Sequence, residues 1–212
     1  MTARDGAPAP ELLDPLVETW KCERPWLRCH NVGFGATEFN PGVGRGRFHP
    51  FTSSDGNPVP SLYGASTFEG ALSETVFHNV WERGPKSLVR RSSLLPMVVS
   101  TLVSKRDLVL AQLHGFGLRR LGIDRTRLID AGPRHYAGTV LWAQALHRCE
   151  AHVDGLVWAS RLHDTAHAIV LFGDRVQRNE LLVAEPPLAL YRGSGLEQVE
   201  RAAELAGIAI LD

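Results

Sequence analysis

Three residues of types that could cleave a glycosidic bond lie within a short stretch of the chain. Arg47 ends a glycine-rich segment, Tyr63 lies in a short predicted strand, and Glu74 lies on the helix predicted to follow it. An arginine fork can neutralise a phosphate, and an aromatic ring can stack on a planar base. A carboxylate can stabilise the positive charge of an oxocarbenium-like transition state. Together these are the parts needed to bind a dinucleotide and break an N-glycosidic bond.

Each of the three residues also fits an ordinary structural place. Arg47 could be an exposed loop charge, and Glu74 a solvated carboxylate on a helix surface. Tyr63 could be an aromatic residue of the core or its rim. Residue types and spacing therefore leave the function undecided.

The elements around these residues can be predicted from composition and periodicity. Residues 31–61 are rich in glycine, proline, serine and asparagine, and a loop this long is often functional. A strand is predicted at 62–65. Ser66 and Glu69 then match a capping box that begins a helix. Residues at helical spacing along that helix are Ala71, Leu72, Thr75, Val76 and Asn79.

The rest of the chain predicts a mixture of strands and helices. Further helices are predicted at 12–20 and 136–151, the second with an apolar face of Val140, Leu141, Ala145 and Leu146. Further strands are predicted at 26–30, 97–102, 108–113, 155–159 and 167–172. Because strands and helices are interspersed without regular alternation, the predicted fold class is α+β, with mixed sheets and flanking helices.

The C-terminal region carries its own helix signals. Ser194 and Glu197 match a second capping box, and Gly207 is placed to end the helix that follows. The apolar residues 208–211 predict a final strand.

Composition indicates one globular domain. The chain has 212 residues, of which 44% are hydrophobic and 22% charged. We expect a tail and short helix over 1–20 and a single catalytic domain over 21–212. Twenty-three basic residues balance 23 acidic ones, so net charge gives no indication of direct nucleic-acid binding.

Targeting, membrane and metal signals are weak. The sequence has neither a signal-peptide core nor an apolar run that could span a bilayer, which predicts a cytoplasmic protein without membrane association. The three cysteines form no C-x-x-C pair. His163 with Asp164, and His167, could suggest a metal site, but no third ligand is placed convincingly, so no metal site is expected.

The joint pattern resembles the signature of the RES-domain family, which is named for an arginine, a glutamate and a serine. The resemblance covers roughly residues 26–178. Its first block runs through Phe39-Asn40-Pro41-Gly42, Gly46-Arg47-Phe48, Leu62-Tyr63-Gly64-Ala65 and Ala71-Leu72-Ser73-Glu74-Thr75-Val76-Phe77-His78. Its second block is Asp154-Gly155-Leu156-Val157-Trp158-Ala159-Ser160-Arg161, followed by Ala168-Ile169-Val170-Leu171-Phe172.

The resemblance implies a fold similar to ADP-ribosyltransferases and an enzyme that degrades NAD by hydrolysis or phosphorolysis. NAD is then the substrate, and no separate cofactor is required. Arg47, Tyr63 and Glu74 match the family's catalytic residues. Arg28, Arg47, Tyr63 and Ser160 are expected to bind NAD. Such proteins are commonly toxins whose partner is a helix-turn-helix antitoxin.

Alternatives remain at this point. The acceptor could be a protein side chain, which would make the chain a mono-ADP-ribosyltransferase, or the fold could serve as a binding module without catalysis. The segment from His49 to Ser61 is longer than the family pattern leads one to expect. Because it borders the predicted site, substrate access or antitoxin contact could differ here.

Overall fold

A nine-stranded, mostly antiparallel sheet runs through the centre of the protein. The computed structural model describes residues 6–78, 80, 87–149 and 151–212. The strands are β1 (Val17–Trp20), β2 (Trp26–Asn31), β3 (Ser61–Ala65), β4 (Leu88–Arg90), β5 (Met97–Ser104), β6 (Leu108–Gln112), β7 (Gly155–Ala159), β8 (His167–Phe172), β9 (Leu181–Val183), β10 (Leu188–Ala189) and β11 (Ala209–Leu211). The sheet order is β1-β6-β7-β8-β3-β2-β5-β10, with β9 also paired to β5.

The remaining elements flank this sheet. The α-helices are α1 (Phe68–Ser73), α2 (Gly115–Arg120), α3 (Arg125–Leu128), α4 (Tyr136–Arg148) and α5 (Gly193–Leu205). Short 3₁₀ helices occupy Pro10–Leu12, Arg91–Leu94, Pro133–His135 and Arg178–Glu180. β4 and β11 form a separate parallel pair. This mixed sheet with flanking helices confirms the predicted α+β class.

Strand alternation divides the core between the two faces of the sheet. On one face, Trp158 and Val170 belong to a hydrophobic cluster that packs against α4. A second cluster on the same face packs against α1 and α5. On the other face, Val157 and Ile169 belong to a third cluster, which includes Trp20. The first two clusters meet at the functional site described below.

One N-terminal prediction is wrong. The predicted helix at 12–20 is a short 3₁₀ helix followed by β1, which pairs antiparallel with β6. Pro15 explains the difference, because proline lacks the amide that an α-helix would need there. Residues 17–20 therefore extend the main sheet.

Among the described residues, no helix is long and apolar enough to cross a membrane.

The helix that carries Glu74 is shorter than predicted and has a different cap. Thr67, and not Ser66, is the N-cap, and its side chain accepts a hydrogen bond from the Gly70 amide. The Ser66 hydroxyl instead accepts from the His167 amide of β8. α1 ends at Ser73, and Glu74 is its C-cap. Asn79, the last residue of the predicted helical pattern, lies outside the described residues.

The later helices also differ in detail from the sequence prediction. α4 ends at Arg148, and Leu141 of its predicted apolar face is 46% exposed. α5 begins at Gly193 with Arg192 as N-cap, so Ser194 lies inside the helix and forms no capping box. Gly207 has a φ of +65°, which confirms it as the residue that ends this helix.

Gly155 allows a close approach between β7 and β8. A Cβ atom at this position would lie 2.1 Å from the backbone oxygen of Val170, a contact that the sheet cannot relieve by a rotamer change. We expect Gly155→Ala to lower the free energy of unfolding by about 3 kcal/mol, as overpacking of a rigid core does. Urea unfolding followed by circular dichroism measures the change.

The matched control is Gly132→Ala, because a Cβ atom there meets nothing within 4 Å and the residue does not have a positive φ. This control should change the free energy of unfolding by less than about 0.5 kcal/mol. Equal stability of the two variants would contradict the close packing of β7 on β8.

Candidate active site

A cavity of about 330 Å³ opens on the sheet face that carries the first two core clusters. Its walls come from β2, β3, β7 and β8, from the end of α1, and from the loop before β3. The lining residues are Leu27, Cys29, Arg45, Gly46, Arg47, His49, Tyr63, Gly64, Ala71, Glu74, Thr75, His78, Tyr136, Trp158 and Ala168. The cavity therefore brings together the predicted catalytic residues Arg47, Tyr63 and Glu74.

Glu74 is held in place by a hydrogen bond from Ser160, the residue that follows β7. Its backbone amide closes the last turn of α1 by donating to the Gly70 carbonyl over 3.1 Å. Its side-chain Oε1 accepts a hydrogen bond of 2.7 Å from the Ser160 hydroxyl. Among the described residues no hydrogen bond is made to the other carboxylate oxygen, Oε2, so it is available to a ligand. The position at a helix end, rather than within a helix, turns the carboxylate toward the cavity.

Arg47 is a buried cation, with only 6% of its surface exposed. Its Nη1 donates to the carbonyl oxygens of Leu128 and Ala131, at 3.3 and 2.8 Å. Its guanidinium carbon lies 5.4 Å from the centre of the Tyr136 ring. Burial lowers the pKa of the guanidinium, an effect that nearby Tyr136 and Glu74 oppose. Among the described residues no hydrogen bond is made by Nε or Nη2, so these donors remain for an anionic ligand.

Tyr63 presents its ring, rather than its hydroxyl, to the cavity. The hydroxyl oxygen accepts from the Phe48 amide at 3.2 Å and lies 3.0 Å from Nδ1 of His49. Burial raises the pKa of the Tyr63 phenol, so it stays protonated at neutral pH. The Trp158 ring meets the Tyr63 ring edge to face, with centroids 6.3 Å apart. The two rings form an aromatic wall.

Arg28 is not brought to the cavity. Its strand neighbours Leu27 and Cys29 line the cavity, whereas the Arg28 guanidinium donates from Nη1 to the carbonyls of Gly35, Ala36 and Glu38. Burial lowers its pKa to about 10. Arg28 therefore fastens the loop after β2, and the expectation that it contacts the ligand finds no support in this geometry.

Ser160 lies behind Glu74 and does not line the cavity. It is fully buried, and its hydroxyl donates to Glu74 while accepting from the Leu162 amide at 3.3 Å. We predicted from the sequence that Ser160 contacts the ligand directly. In this structure its hydroxyl is turned to Glu74, an arrangement suited to positioning that carboxylate.

The long segment between Arg47 and Tyr63 is packed into the protein. Phe51 and Val59 are buried in the first core cluster. His49, which follows Arg47 closely, reaches the cavity and contacts Tyr63 edge to face at 5.3 Å. Gly46 is needed beside it, because a Cβ atom there would lie 2.3 Å from the His49 ring. The segment therefore forms part of the cavity wall. This agrees with the prediction that it borders the site.

The sequence did not predict several of the residues that line the cavity. Tyr136 and Trp158 lie far from Glu74 in the sequence, and no local pattern indicates that they meet it. His78, the last residue of the family motif around Glu74, also lines the cavity, with Nε2 3.4 Å from the Tyr136 hydroxyl. Arg45 could have been found from its place in the same glycine-rich segment as Arg47.

In the described part of the chain, the cavity contains no set of three metal-ligating groups within 4.8 Å of one another.

The match to a family model defines the class of protein to which this fold and site belong. The model of the RES domain matches residues 22–190. The chain therefore belongs to the RES domain family, as the motifs predicted.

One solved structure has a similar fold. A chain in the crystal structure of the M. tuberculosis MbcT-MbcA toxin-antitoxin complex matches with a TM-score of 0.59 and 16% sequence identity. The match covers 82% of this chain and 89% of that chain. A comparison with curated proteins returns no significant match.

The half-buried imidazole of His49 predicts a pH dependence of stability. Burial lowers its pKa from the ordinary value of 6.5. The unfolded chain then takes up a proton below about pH 6.5 that the folded protein does not, so this stabilisation is present above that pH and is lost as the pH falls. We expect His49→Gln to lose less stability than the wild type between about pH 7.5 and pH 5.5. Urea unfolding at both pH values measures the difference.

His135→Gln is the control, because His135 is exposed on the surface. It should retain the wild-type pH dependence. A His49→Gln variant that loses as much stability on acidification as the wild type would show that His49 titrates normally.

Proposed function

We propose that this protein consumes NAD by cleaving the bond between nicotinamide and ribose. The observation that carries the proposal is the convergence of a buried arginine, an aromatic wall and a fixed carboxylate on one cavity. Membership of the RES domain family supports it. NAD contains the matching groups in order: a diphosphate, a ribose and a cationic planar base.

Arg47 is proposed to bind the diphosphate. Its Nη1 is already engaged with main-chain carbonyls, so the ion is fixed before a ligand arrives. The donors Nε and Nη2 can then form the paired contacts that phosphate oxygens prefer. Arg45, which is exposed and lines the same cavity, adds positive charge near its entrance.

The aromatic wall is proposed to hold the nicotinamide ring. Tyr63 cannot swing away freely, because its hydroxyl is bound between Phe48 and His49. An aromatic face attracts a cationic planar base through its quadrupole and through stacking. The positive charge of nicotinamide is lost when the glycosidic bond breaks, so the stacking contact weakens as this product forms.

Glu74 is proposed to stabilise the ribose as positive charge develops on it. In the transition state the bond from C1′ to the nicotinamide nitrogen lengthens, and its electron pair leaves with neutral nicotinamide. A carboxylate held close to the sugar lowers the energy of the resulting oxocarbenium-like ion. Ser160 keeps Oε1 in place, so little reorganisation is needed when the charge appears.

The acceptor that completes the reaction is proposed to be water or phosphate. Either attacks C1′ through an oxygen and gives up a proton if it carries one there, forming ADP-ribose or ADP-ribose 1-phosphate. Ser160 is not proposed as a nucleophile, because its hydroxyl donates to Glu74 and, in the described part of the chain, no imidazole is hydrogen-bonded to it. Product analysis with and without phosphate separates the two acceptors, and a labelled protein would instead indicate ADP-ribosyl transfer.

In the cell we propose that the protein acts as the toxin of a toxin–antitoxin pair, with a helix-turn-helix antitoxin as its partner. Family membership and the similarity to a chain of a toxin–antitoxin complex support this role. Expression of the chain alone should stop growth and deplete NAD, and co-expression of the gene beside it should restore both. Normal growth with full soluble expression would contradict the toxin role.

Replacing Glu74 by glutamine tests the catalytic assignment. Glu74→Gln keeps the size and much of the hydrogen bonding of the side chain but removes its charge. We expect NAD turnover to fall about a hundredfold to a thousandfold, since the lost contact acts mainly in the transition state. The dissociation constant for NAD should change little. Nicotinamide release and calorimetric titration measure the two quantities.

Glu69→Gln is the matched control, because Glu69 is an exposed carboxylate in the first turn of the same helix. It should keep wild-type turnover. Arg47→Ala should differ from both by weakening NAD binding as well as turnover, and Arg47→Lys should recover only part of the loss. Near wild-type turnover in Glu74→Gln would show that Glu74 is not the catalytic carboxylate.

The hydrogen bond from Ser160 to Glu74 predicts a separate effect on kinetics. Ser160→Ala leaves the carboxylate charged but free to rotate, so we expect kcat to fall about tenfold, the effect of one lost hydrogen bond to a charged group. KM should stay nearly constant, because Ser160 does not touch the ligand in this mechanism. Steady-state kinetics provides the measurement. A raised KM with unchanged kcat would instead indicate direct contact between Ser160 and NAD.

A further inference from the structure

A second cluster of chemically capable side chains lies on the sheet face opposite the cavity. Glu18 belongs to β1, His114 lies two residues after the end of β6, and His167 is the first residue of β8. His167 pairs with Ala159 of β7, whose small side chain leaves room above it. Trp158 and Ala168, the next pair along these strands, line the cavity on the other face.

The three side chains in this cluster approach one another closely. One potential ligand atom from each of Glu18, His114 and His167 lies within 4.8 Å of the other two. Nε2 of His114 is 3.0 Å from Oε2 of Glu18. The imidazole rings of His114 and His167 are stacked, with centroids 4.7 Å apart and planes inclined by 25°.

We propose that Glu18, His114 and His167 bind one divalent transition-metal ion of the zinc type. Two imidazoles and one carboxylate form a ligand set that zinc accepts, with a fourth position open to water. Ligand atoms in a tetrahedral zinc site lie about 3.3 Å apart, so modest side-chain rotations convert the observed cluster into a coordinating one. No residue of the candidate active site takes part.

The surroundings of the cluster support this assignment. The Gln112 side-chain amide nitrogen lies 3.3 Å from Nδ1 of His114. With this amide turned over, its oxygen would accept a hydrogen bond from Nδ1 and fix the ring with Nε2 turned toward the cluster. Metal-binding imidazoles commonly have such a partner on their other nitrogen. The His167 backbone is fixed on both sides by Ser66, which accepts from the His167 amide at 2.9 Å and donates to its carbonyl at 2.8 Å.

Burial and charge are also suitable. The side chains of His114 and Glu18 are 19% and 25% exposed, so an ion can enter from solvent and is still shielded from it. Glu18 supplies negative charge directly. Arg24, whose guanidinium packs over the Trp20 ring at 3.7 Å, is a nearby positive group that limits the affinity.

A bound ion would connect three strands of the sheet. Glu18 lies on the edge strand β1, whereas the two histidines are attached to β6 and β8, nearer the centre. Coordination would therefore hold the edge of the sheet against its middle. Because the ion would bind only the folded protein, it should raise the melting temperature. It should do so without being required for NAD cleavage on the opposite face.

The test uses full-length protein without a histidine tag. Calorimetric titration with Zn²⁺ should give one site per chain, and Co²⁺ should produce the visible absorption of a nitrogen- and oxygen-ligated ion. His114→Ala and His167→Ala should each weaken Zn²⁺ binding by about a hundredfold or more, since each removes a ligand. His163→Ala is the control, because this nearby histidine lies outside the cluster, and it should bind Zn²⁺ like the wild type.

Two results would overturn the proposal. One is a wild-type protein that binds no Zn²⁺, and the other is unchanged binding in the double variant His114→Ala/His167→Ala. If the alanine variants do not fold, Co²⁺ added to the wild type must perturb the ring NMR signals of His114 and His167 more than those of any other histidine, and Glu18→Gln must weaken binding. Perturbation centred on other histidines would equally overturn it.

Discussion

The hydrogen bond between Ser160 and Glu74 is the contact on which the geometry of the candidate site depends. It joins the end of β7 to the end of α1, two elements separated by 86 residues in the sequence. Because α1 has only six residues, its end is fixed by tertiary contacts more than by helix stability. The carboxylate thus takes its direction from the sheet. The sheet in turn carries Tyr63 and Trp158, so the aromatic wall and the carboxylate share one rigid support.

A second constraint is the burial of Arg47. Removing a guanidinium from water is costly unless its donors are satisfied, and here main-chain carbonyls at the end of α3 and just after it satisfy part of them. The Thr139 hydroxyl in turn donates to the Arg47 carbonyl, which ties the arginine backbone to α4. Within the described ranges, the charge is therefore held by carbonyl dipoles rather than by a carboxylate in direct contact. Such an arrangement keeps the positive field directed at the cavity instead of neutralising it.

The sequence predicted the strands well because their apolar runs are long and are bounded by polar or glycine-rich segments. It predicted the membership of Arg47, Tyr63 and Glu74 in one site through the family pattern, whereas their residue types alone left the question open. Arg28 illustrates what the alternation of residues along a strand cannot predict. Alternation places it on the opposite face from Leu27 and Cys29, but only the assembled sheet determines which face carries the cavity. Ser160 illustrates the same limit, since its burial beside Glu74 is a long-range contact that no local spacing encodes.

The two ends of the main sheet have a consequence for how other molecules can bind. The order ends in β1, with four residues, and β10, with two, and prolines precede both strands at Pro15 and at Pro186-Pro187. Short edges flanked by residues without an amide hydrogen offer few unpaired backbone groups to an incoming strand. This discourages edge-to-edge aggregation of the large sheet. A protein that binds this one would therefore contact side chains and the cavity rather than add a strand to the edge of the main sheet.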